Sequence, residues 1–510
     1  MKLRFLTLAL AAGLLAPAPT RAADHAITLG EAVRLAIQKN EGLVSARESA
    51  GAARGTLKSA NGAYDPVLYG DGTWQRVKQP TNSSIPGATL APENESSEGG
   101  LELRQYLPTG GTLSLKGRGG RETDQGFVLL SPAYLTRVGA EFRQPLLRNR
   151  SIDPARRDIK VAKAGRDAAE ASLDQATIET LAAVERAYWT LVDARLDIGV
   201  RERAVELAQE QLTETQHRVD TGSVPRTELS QPTAELARRR GDLLEATEAR
   251  ARAQNALKLL ILAGSGDPMW DSDLAPVDDS AVTVAPVDIA AEMELALKNR
   301  PELAVAQAIV DQRRTETSFA KDGRWPSLDA VLSYDRFGIA GDPAVPPGEV
   351  APDLQGKWGD SFQSLTDGDF DAARVALELE LPIVNRAAKG ATEAASSRER
   401  QARAELELVR KLIRAEVLDA AAALETAGQR IEAAKAGREA AEVQLSAEQD
   451  RYASGLSTNF LVLTRQNDLS RAQLDEISSL TDYRAARTEM ARATGRLAEE
   501  YGIDTSDTQR

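Results

Sequence analysis

The sequence predicts an internally duplicated α+β membrane protein. The predicted fold has two parts: a long antiparallel α-helical coiled-coil barrel, and a transmembrane β-barrel that is shared between chains. Three observations lead to this fold class. Residues 153–219 and 386–452 have a helical apolar pattern with no interior Pro. Shorter segments alternate apolar and polar residues with the period of a β-strand. The order of these elements occurs twice along the chain.

The duplication is visible in two pairs of similar segments. "LAIQKNEGL" at 35–43 is similar to "LALKNRPEL" at 295–303, and "RVDTG" at 218–222 is similar to "RYASG" at 451–455. An internal repeat of this kind indicates one structural unit used twice. The Pro, Gly and Asp residues between the two copies are typical of a linker. We predict a signal peptide at 1–23, a first structural repeat at 24–263, a linker or equatorial segment at 264–287, a second structural repeat at 288–500 and a C-terminal tail at 501–510.

The N-terminal residues are typical of a secretory signal. Lys2 and Arg4 precede a short apolar run, and small residues surround Ala22 and Ala23, where cleavage is expected. The run is too short for a spanning helix, and no other stretch of the chain is apolar for longer. The chain has no cysteine, so it forms no disulfide. These features predict a bacterial envelope protein.

The composition argues against several functions. The formal net charge is −13, and removal of a signal containing Lys2, Arg4 and Arg21 makes it more negative, which disfavours nucleic acid as a partner. Two histidines, His25 and His217, and no cysteine leave few ligands for a transition metal. No catalytic constellation is recognisable. We therefore predict no enzyme activity, no metal site and no cofactor.

The long helices are predicted to pack along one another. Asp153 and Pro154 are a typical cap and first residue of a helix. In the second copy, Leu406, Val409 and Ile413 begin an apolar seam with coiled-coil spacing. At 1.5 Å per residue, each long helix measures roughly 100 Å. Shorter helices are predicted at 27–62, 226–263, 288–321 and 459–500. Each pair of short helices matches the long helix of its copy in length, so we expect them end to end beside it.

The strand-like segments favour a membrane barrel. In "RVALELELPI", Val375, Leu377 and Leu379 alternate with Glu378 and Glu380, as a transmembrane barrel strand requires. A soluble sandwich gives the same alternation, but the signal peptide and the lack of a spanning helix favour the barrel. Strands are predicted at 66–78, 98–107, 111–121, 134–145, 324–337 and 371–384, with polar loops at 80–97 and 338–370. One chain has too few strands to close a barrel with a lumen. An open edge cannot face lipid, so chains must share the barrel.

The duplicated layout and the two R-x-x-x-G turns resemble the outer-membrane efflux protein family, the TolC-like trimeric channel-tunnels. The resemblance implies a homotrimer whose three chains form one barrel in the outer membrane of a Gram-negative bacterium, with a long periplasmic portion. It implies a passive exit duct of a tripartite efflux or type I secretion system. The implied partners are a periplasmic adaptor (membrane fusion protein), an inner-membrane pump and outer-membrane lipid. The alternative is a periplasmic coiled-coil adaptor or binding protein without a channel.

The resemblance also implies site residues. The turns at the tunnel tip would contact the adaptor through Gly222, Ser223, Val224, Gly455, Leu456 and Ser457. In the best-known members, acidic residues six and nine positions beyond the second turn glycine surround the constriction. Those positions are Leu461 and Thr464 here, and the corresponding positions after the first glycine are Glu228 and Gln231. An acidic constriction would depend on Glu228 or Asp468, and a ring of three carboxylates would attract cations. Glu228 is equally explained as a first-turn residue favoured by the helix dipole, and Leu461 suggests a hydrophobic constriction.

The first repeat departs from the simplest family members, which have two strands per copy. Four strands are predicted there, and "LPTGG" at 107–111 joins the middle two with a turn signal. Because an even number of strands is added, the topology does not decide whether this hairpin joins the barrel or folds against its rim. The transported substrate is not encoded in any motif of the chain.

Overall fold

The structure is a computed structural model that describes residues 24–80, 91–125, 128–278, 282–346 and 348–503. The predicted signal peptide and the last seven residues of the predicted tail lie outside this set, as does most of the predicted loop at 80–97. The described chain divides into two compact units. One contains the chain up to Arg47, Leu173–Pro301 and the chain from Arg410 onward, and the other contains Glu48–Ser172 and Glu302–Val409.

The described residues form eight strands and ten α-helices. The strands are β1 (Asp24–Ile27), β2 (Val67–Lys78), β3 (Glu93–Tyr106), β4 (Thr112–Asp124), β5 (Leu130–Pro145), β6 (Asp273–Pro276), β7 (Ser327–Pro343) and β8 (Phe370–Glu380). The helices are α1 (Leu29–Lys39), α2 (Glu41–Asn61), α3 (Pro154–Asp220), α4 (Ser230–Ile261), α5 (Ile289–Asn299), α6 (Pro301–Asp322), α7 (Trp358–Asp367), α8 (Arg386–Ala453), α9 (Asn459–Thr494) and α10 (Leu497–Glu500). The predicted α+β class with long helices and an antiparallel sheet is confirmed.

One unit contains a six-stranded antiparallel sheet in the order β2-β3-β4-β5-β7-β8. Four of these strands come from the first half of the chain and two from the second. The turn at 107–111 joins β3 to β4, and both strands lie inside the sheet, so the additional hairpin is part of it. Among the described residues, β2 and β8 pair on one side only. The sheet therefore has two open edges.

Strand ends in this unit are fixed by buried polar contacts. The Asp322 carboxylate, at the end of α6, accepts hydrogen bonds from the Asn149 backbone N–H (2.5 Å) and from Ser151 Oγ (2.6 Å). Asp153 is fully buried and accepts from the backbone N–H of Arg156 at 2.9 Å, as an N-cap does. The predicted start of the long helix at Pro154 is confirmed. The bonds to Asp322 hold the segment that follows β5 next to the segment that precedes β7.

The other unit is centred on helices α1, α3, α4 and α9. Its apolar core contains Leu181, Tyr188 and Leu257, each completely buried. Strand β1 pairs in parallel with β6 at the edge of this core. The Tyr188 hydroxyl donates to the carbonyl of Ile27 at 3.1 Å and also contacts the Asp278 carboxylate, so the pair of strands is fastened to α3.

The segment 264–287, predicted as a linker or equatorial segment, contains β6 and a 3₁₀ turn. The structure corrects two sequence-based expectations. The segment 338–370 is not an unstructured polar loop, because β7 continues to Pro343 and α7 lies beyond it. The predicted helix at 27–62 is two helices, because Asn40 leaves the helical conformation and its side chain accepts from the N–H of Leu43 at 3.2 Å. No helix in the described parts of the chain combines the length and apolarity needed to cross a membrane.

Candidate functional site

The two predicted tip turns share two backbone hydrogen bonds. After α3, Ser223 N–H donates to the Arg218 carbonyl at 2.8 Å and Gly222 N–H to the Val219 carbonyl at 2.9 Å. After α8, Leu456 and Gly455 make the equivalent bonds, at 2.8 and 3.0 Å. Both glycines have positive φ, +75° and +73°, which residues with a Cβ rarely adopt. Each turn is a Schellman motif, which ends a helix sharply.

Four of the six predicted turn residues are exposed, and Val224 and Ser457 are half-buried. A Cβ added to Gly222 or Gly455 would meet nothing within 4 Å. Leu456 is 80 % exposed, and Phe460, just beyond it, is 61 % exposed. An apolar pair with this exposure is the kind of surface that a protein partner covers. The sequence prediction included Leu456 but missed Phe460, although its apolar side chain in the first turn of α9 was a readable signal.

One side-chain pair joins the two turns. The Arg218 guanidinium lies 5.2 Å from the centre of the Tyr452 ring and also donates a hydrogen bond to the Tyr452 hydroxyl. Arg218 precedes the first turn glycine by four residues, and Tyr452 precedes the second by three. Nearby, Gln211 Nε2 donates to Asn459 Oδ1 at 2.6 Å. The end of α3 is therefore held both to the end of α8 and to the start of α9.

The five predicted constriction residues have different surroundings. Glu228 lies in a 3₁₀ turn, Arg226–Leu229, and it and Gln231 are exposed. Leu461 is 40 % exposed, in the first turn of α9. Thr464 Oγ1 donates back to the Phe460 carbonyl at 2.8 Å, and Asp468 pairs with Arg465 at 3.0 Å. Within the described part of the chain, none of the five bonds to another of the five.

A polar cluster that the sequence prediction missed connects α4 with α9. The Glu235 carboxylate accepts from Arg239 Nε at 2.8 Å, and Arg239 also donates to the Asn467 side chain. Arg238 Nη2 donates to Asn467 Oδ1 at 2.7 Å. Burial raises the pKa of Glu235, but the hydrogen bonds and charges of Arg238 and Arg239 outweigh it and hold that pKa below its usual value. The Glu235–Arg239 spacing of four was visible in the sequence, but the contact with Asn467 was not.

The six-stranded sheet has one apolar and one polar face, because residues paired across antiparallel strands lie on the same face. Much of the apolar face is exposed, and eleven of its larger side chains are 41–81 % accessible. These side chains are Leu68, Trp74, Leu101, Leu103, Leu115, Val138, Leu332, Tyr334, Val375, Leu377 and Leu379. The alternation predicted for β8 is confirmed.

The polar face carries cross-strand ion pairs. Lys116 pairs with Glu141 (3.2 Å), Arg137 with Asp335 (3.0 Å) and Arg143 with Glu378 (2.8 Å). A cleft of about 770 Å³ runs along this face. Across the described residues, no group of three or more His, Asp or Glu side chains could hold a metal ion. A charged face of this kind is typical of the interior of a membrane barrel.

Long helices with paired tips, and a sheet with one exposed apolar and one charged face, define the class of outer-membrane channels with a helical extension. The chain belongs to the outer membrane efflux protein family, whose model matches residues 138–261 and 293–496. It is therefore an outer-membrane efflux duct of a tripartite system. No curated protein matches the chain.

Solved structures share the fold at low sequence identity. The CmeC outer-membrane channel of Campylobacter jejuni is 17 % identical, with a TM-score of 0.65 over 94 % of this chain and 88 % of that one. VceC of Vibrio cholerae is 18 % identical, with a TM-score of 0.65 over 92 % and 96 % of the two chains. The open-state MtrE channel of Neisseria gonorrhoeae is 18 % identical, with a TM-score of 0.60 over 92 % and 88 %.

Proposed function

We propose that three copies of the chain join their sheets edge to edge into one outer-membrane barrel, with the duplicated helices forming a long periplasmic tunnel. The observation that carries this proposal is the pair of open edges, β2 and β8, on a sheet whose apolar face is exposed. Unpaired backbone N–H and C=O groups cannot face lipid, so each β2 must pair with the β8 of a neighbouring copy. Three six-stranded sheets form a wider barrel than three four-stranded sheets, because barrel diameter grows with strand number.

Cysteine cross-linking tests the barrel. The chain has no cysteine, so every introduced pair is unambiguous. Cys at Ala376 on β8 is combined in turn with Cys at Tyr69, Thr73, Gln75 or Val77 on β2, and oxidised in isolated outer membranes. At least one pair is expected to produce a covalent trimer on a denaturing gel. The control combines Ala376→Cys with Ser114→Cys, because β4 is an interior strand. Cross-linking by the control alone, or by no pair, contradicts the proposal.

We also propose that the two turns dock a periplasmic adaptor, which in turn contacts an inner-membrane pump. The exposed Leu456 and Phe460 and the open surroundings of both turn glycines support this role. Substitution of Leu456 and Phe460 by Ser is expected to abolish co-purification with the adaptor and to leave trimer formation unchanged. The matched control is Val443→Ser, an equally exposed apolar residue within α8.

Passage through the tip is proposed to be passive and non-enzymatic, limited by Glu228, Gln231, Leu461, Thr464 or Asp468. Two constriction chemistries are consistent with these residues. A ring of Glu228 carboxylates selects cations, and a ring of Leu461 side chains excludes water. In planar bilayers, Glu228→Gln lowers cation selectivity if the first chemistry holds. Leu461→Ser raises conductance if the second holds. A conductance and selectivity unchanged in both variants, and in variants of the other three residues, excludes a constriction at these positions.

A periplasmic adaptor role is less well supported. An adaptor folds in water, and its sheet would not expose Val375, Leu377 and Leu379 together. A chain that remains soluble and monomeric without detergent would restore that alternative.

A further inference from the structure

Helix α7 lies on the apolar face of the sheet, within the connection between β7 and β8. Ser361 is completely buried, and its backbone carbonyl accepts a hydrogen bond from the hydroxyl of Thr136 on β5 at 3.0 Å. Leu365, one turn later, is 6 % exposed. The helix is therefore packed on the sheet and does not project from it.

Two of the three sheet residues beneath the helix are glycines. A Cβ on Gly338 would stand 2.0 Å from the Ser361 carbonyl oxygen, and a Cβ on Gly119 would stand 3.0 Å from the Trp358 ring. Gly119 pairs with Thr136, and Thr136 pairs with Gly338, so these positions form one row across three strands. Helix α7 packs on this row, which we call its seat.

The rest of the helix surface is amphipathic. Trp358 and Phe362 are one turn apart and are 42 % and 58 % exposed. At 100° per residue, Asp360 and Asp367 lie on the opposite side from Phe362. A groove of about 350 Å³ lies between Trp358, Phe362 and the apolar face of the sheet, where Leu101 and Val138 line it. The apolar side of α7 is thus continuous with the apolar face of the sheet.

The position of the helix coincides with a row of aromatic residues. Trp358 contacts Tyr134, with ring centres 5.5 Å apart. Trp74 lies in the same row of the apolar face as Tyr134, because Trp74 pairs with Ser97, Ser97 with Arg121 and Arg121 with Tyr134. Aromatic residues with one polar end collect at the boundary between lipid tails and head groups, and they border the apolar band of membrane barrels.

We propose that α7 is an interfacial helix, which inserts Trp358 and Phe362 into the acyl-chain boundary of the outer leaflet and keeps Asp360 and Asp367 in water. The occupant of the surface is lipid. This inference rests on the proposed outer-membrane barrel and adds an external contact that fixes the depth of the barrel in the bilayer. Amphipathic helices of this kind bind through the apolar area that they bury.

Nitroxide labels on single cysteines test the inference in proteoliposomes. Position 362 carries the probe, position 367 is the matched control on the same helix, and position 375, in the middle of β8, reports on the barrel. The measurement compares the accessibility of each label to oxygen, which partitions into lipid, and to a water-soluble nickel chelate. Oxygen is expected to exceed the chelate at 362 and 375, with the reverse at 367.

Each other outcome has a distinct meaning. Lipid exposure at 375 with water exposure at 362 overturns the interfacial helix and leaves the barrel intact. Protection of 362 from both reagents identifies protein as the occupant and also overturns the inference. Water exposure at 375 contradicts the proposed barrel itself. All three labelled positions are exposed in the structure, so the substitutions are not expected to disturb folding.

Discussion

Arg218 stacks on the ring of Tyr452 and donates a hydrogen bond to its hydroxyl, which joins the ends of the two longest helices through a single pair of side chains. The pair spans 234 residues of sequence. The two turns that would face a partner are therefore in direct side-chain contact next to their glycines.

Loss of this pair is expected to loosen the tip. Arg218→Ala removes both the stacking and the hydrogen bond, worth about 1–2 kcal/mol together. Tyr452→Phe keeps the ring and removes only the hydrogen bond. Open probability in planar bilayers is expected to rise most in Arg218→Ala and less in Tyr452→Phe. Arg203→Ala, which breaks an exposed pair with Glu206 on the same helix, serves as the control and should not change it.

The stability supplied by Glu235 should depend on pH. Its pKa is lower in the folded chain than in the unfolded chain, so its contribution is present above the unfolded value of about 4.3 and is lost as pH falls through the lower folded value. Glu235→Gln is therefore expected to lower the melting temperature at pH 7. It should have little effect at a pH below the folded pKa of Glu235, where the carboxyl group is protonated in both states. Thermal melts of both proteins across acidic pH check this. Glu206→Gln, which removes a charge from an exposed ion pair, should leave the melting temperature and its pH dependence unchanged.

The Tyr188 hydroxyl is expected to stabilise the helical core by about one hydrogen bond. Tyr188→Phe keeps the buried ring, and the Ile27 carbonyl and the Asp278 carboxylate keep the backbone N–H groups of Val277 and Leu29 as donors. The expected loss is therefore about 0.5–1.5 kcal/mol. Thermal unfolding followed by circular dichroism should show the loss. Tyr334→Phe, at an exposed hydroxyl, provides the comparison, and equal effects in the two variants would contradict the argument.

The seat of α7 depends on a missing side chain. Gly338→Ala places a methyl group where the Ser361 carbonyl lies, and such overpacking costs about 1–3 kcal/mol. The helix is expected to lift from the sheet and expose the connection between β7 and β8 to limited proteolysis. Gly117→Ala, where a Cβ meets nothing within 4 Å, should be cut no faster than the parent protein.

Structural features that depend on local sequence patterns were predicted more completely than features that depend on contacts between distant segments. The strand faces are predictable from alternation within each strand, as in Val375, Leu377 and Leu379, and the long helices from their spacing and from the Asp153 cap. Helix α7 was predicted as loop. Its packing depends on Gly119 of β4 and Gly338 of β7, and the sequence of the helix itself does not show this contact. The polar contacts of Arg238 and Arg239 with Asn467 were missed because they join two helices that are far apart in the sequence. The tip residues were placed by their similarity to a known family, and their roles remain predictions.

The two Schellman turns lead into different helical structures. After Gly222, Pro225 leads into a 3₁₀ turn, whereas after Gly455 the side chain of Thr458 caps an α-helix directly. A 3₁₀ segment rises about 2.0 Å per residue and an α-helix about 1.5 Å. Equal counts from the two glycines therefore correspond to different rises along the two return helices. Glu228 and Leu461 stand at the same count after their glycines but in different helical geometry, so in the proposed constriction a ring built from both would be staggered rather than level.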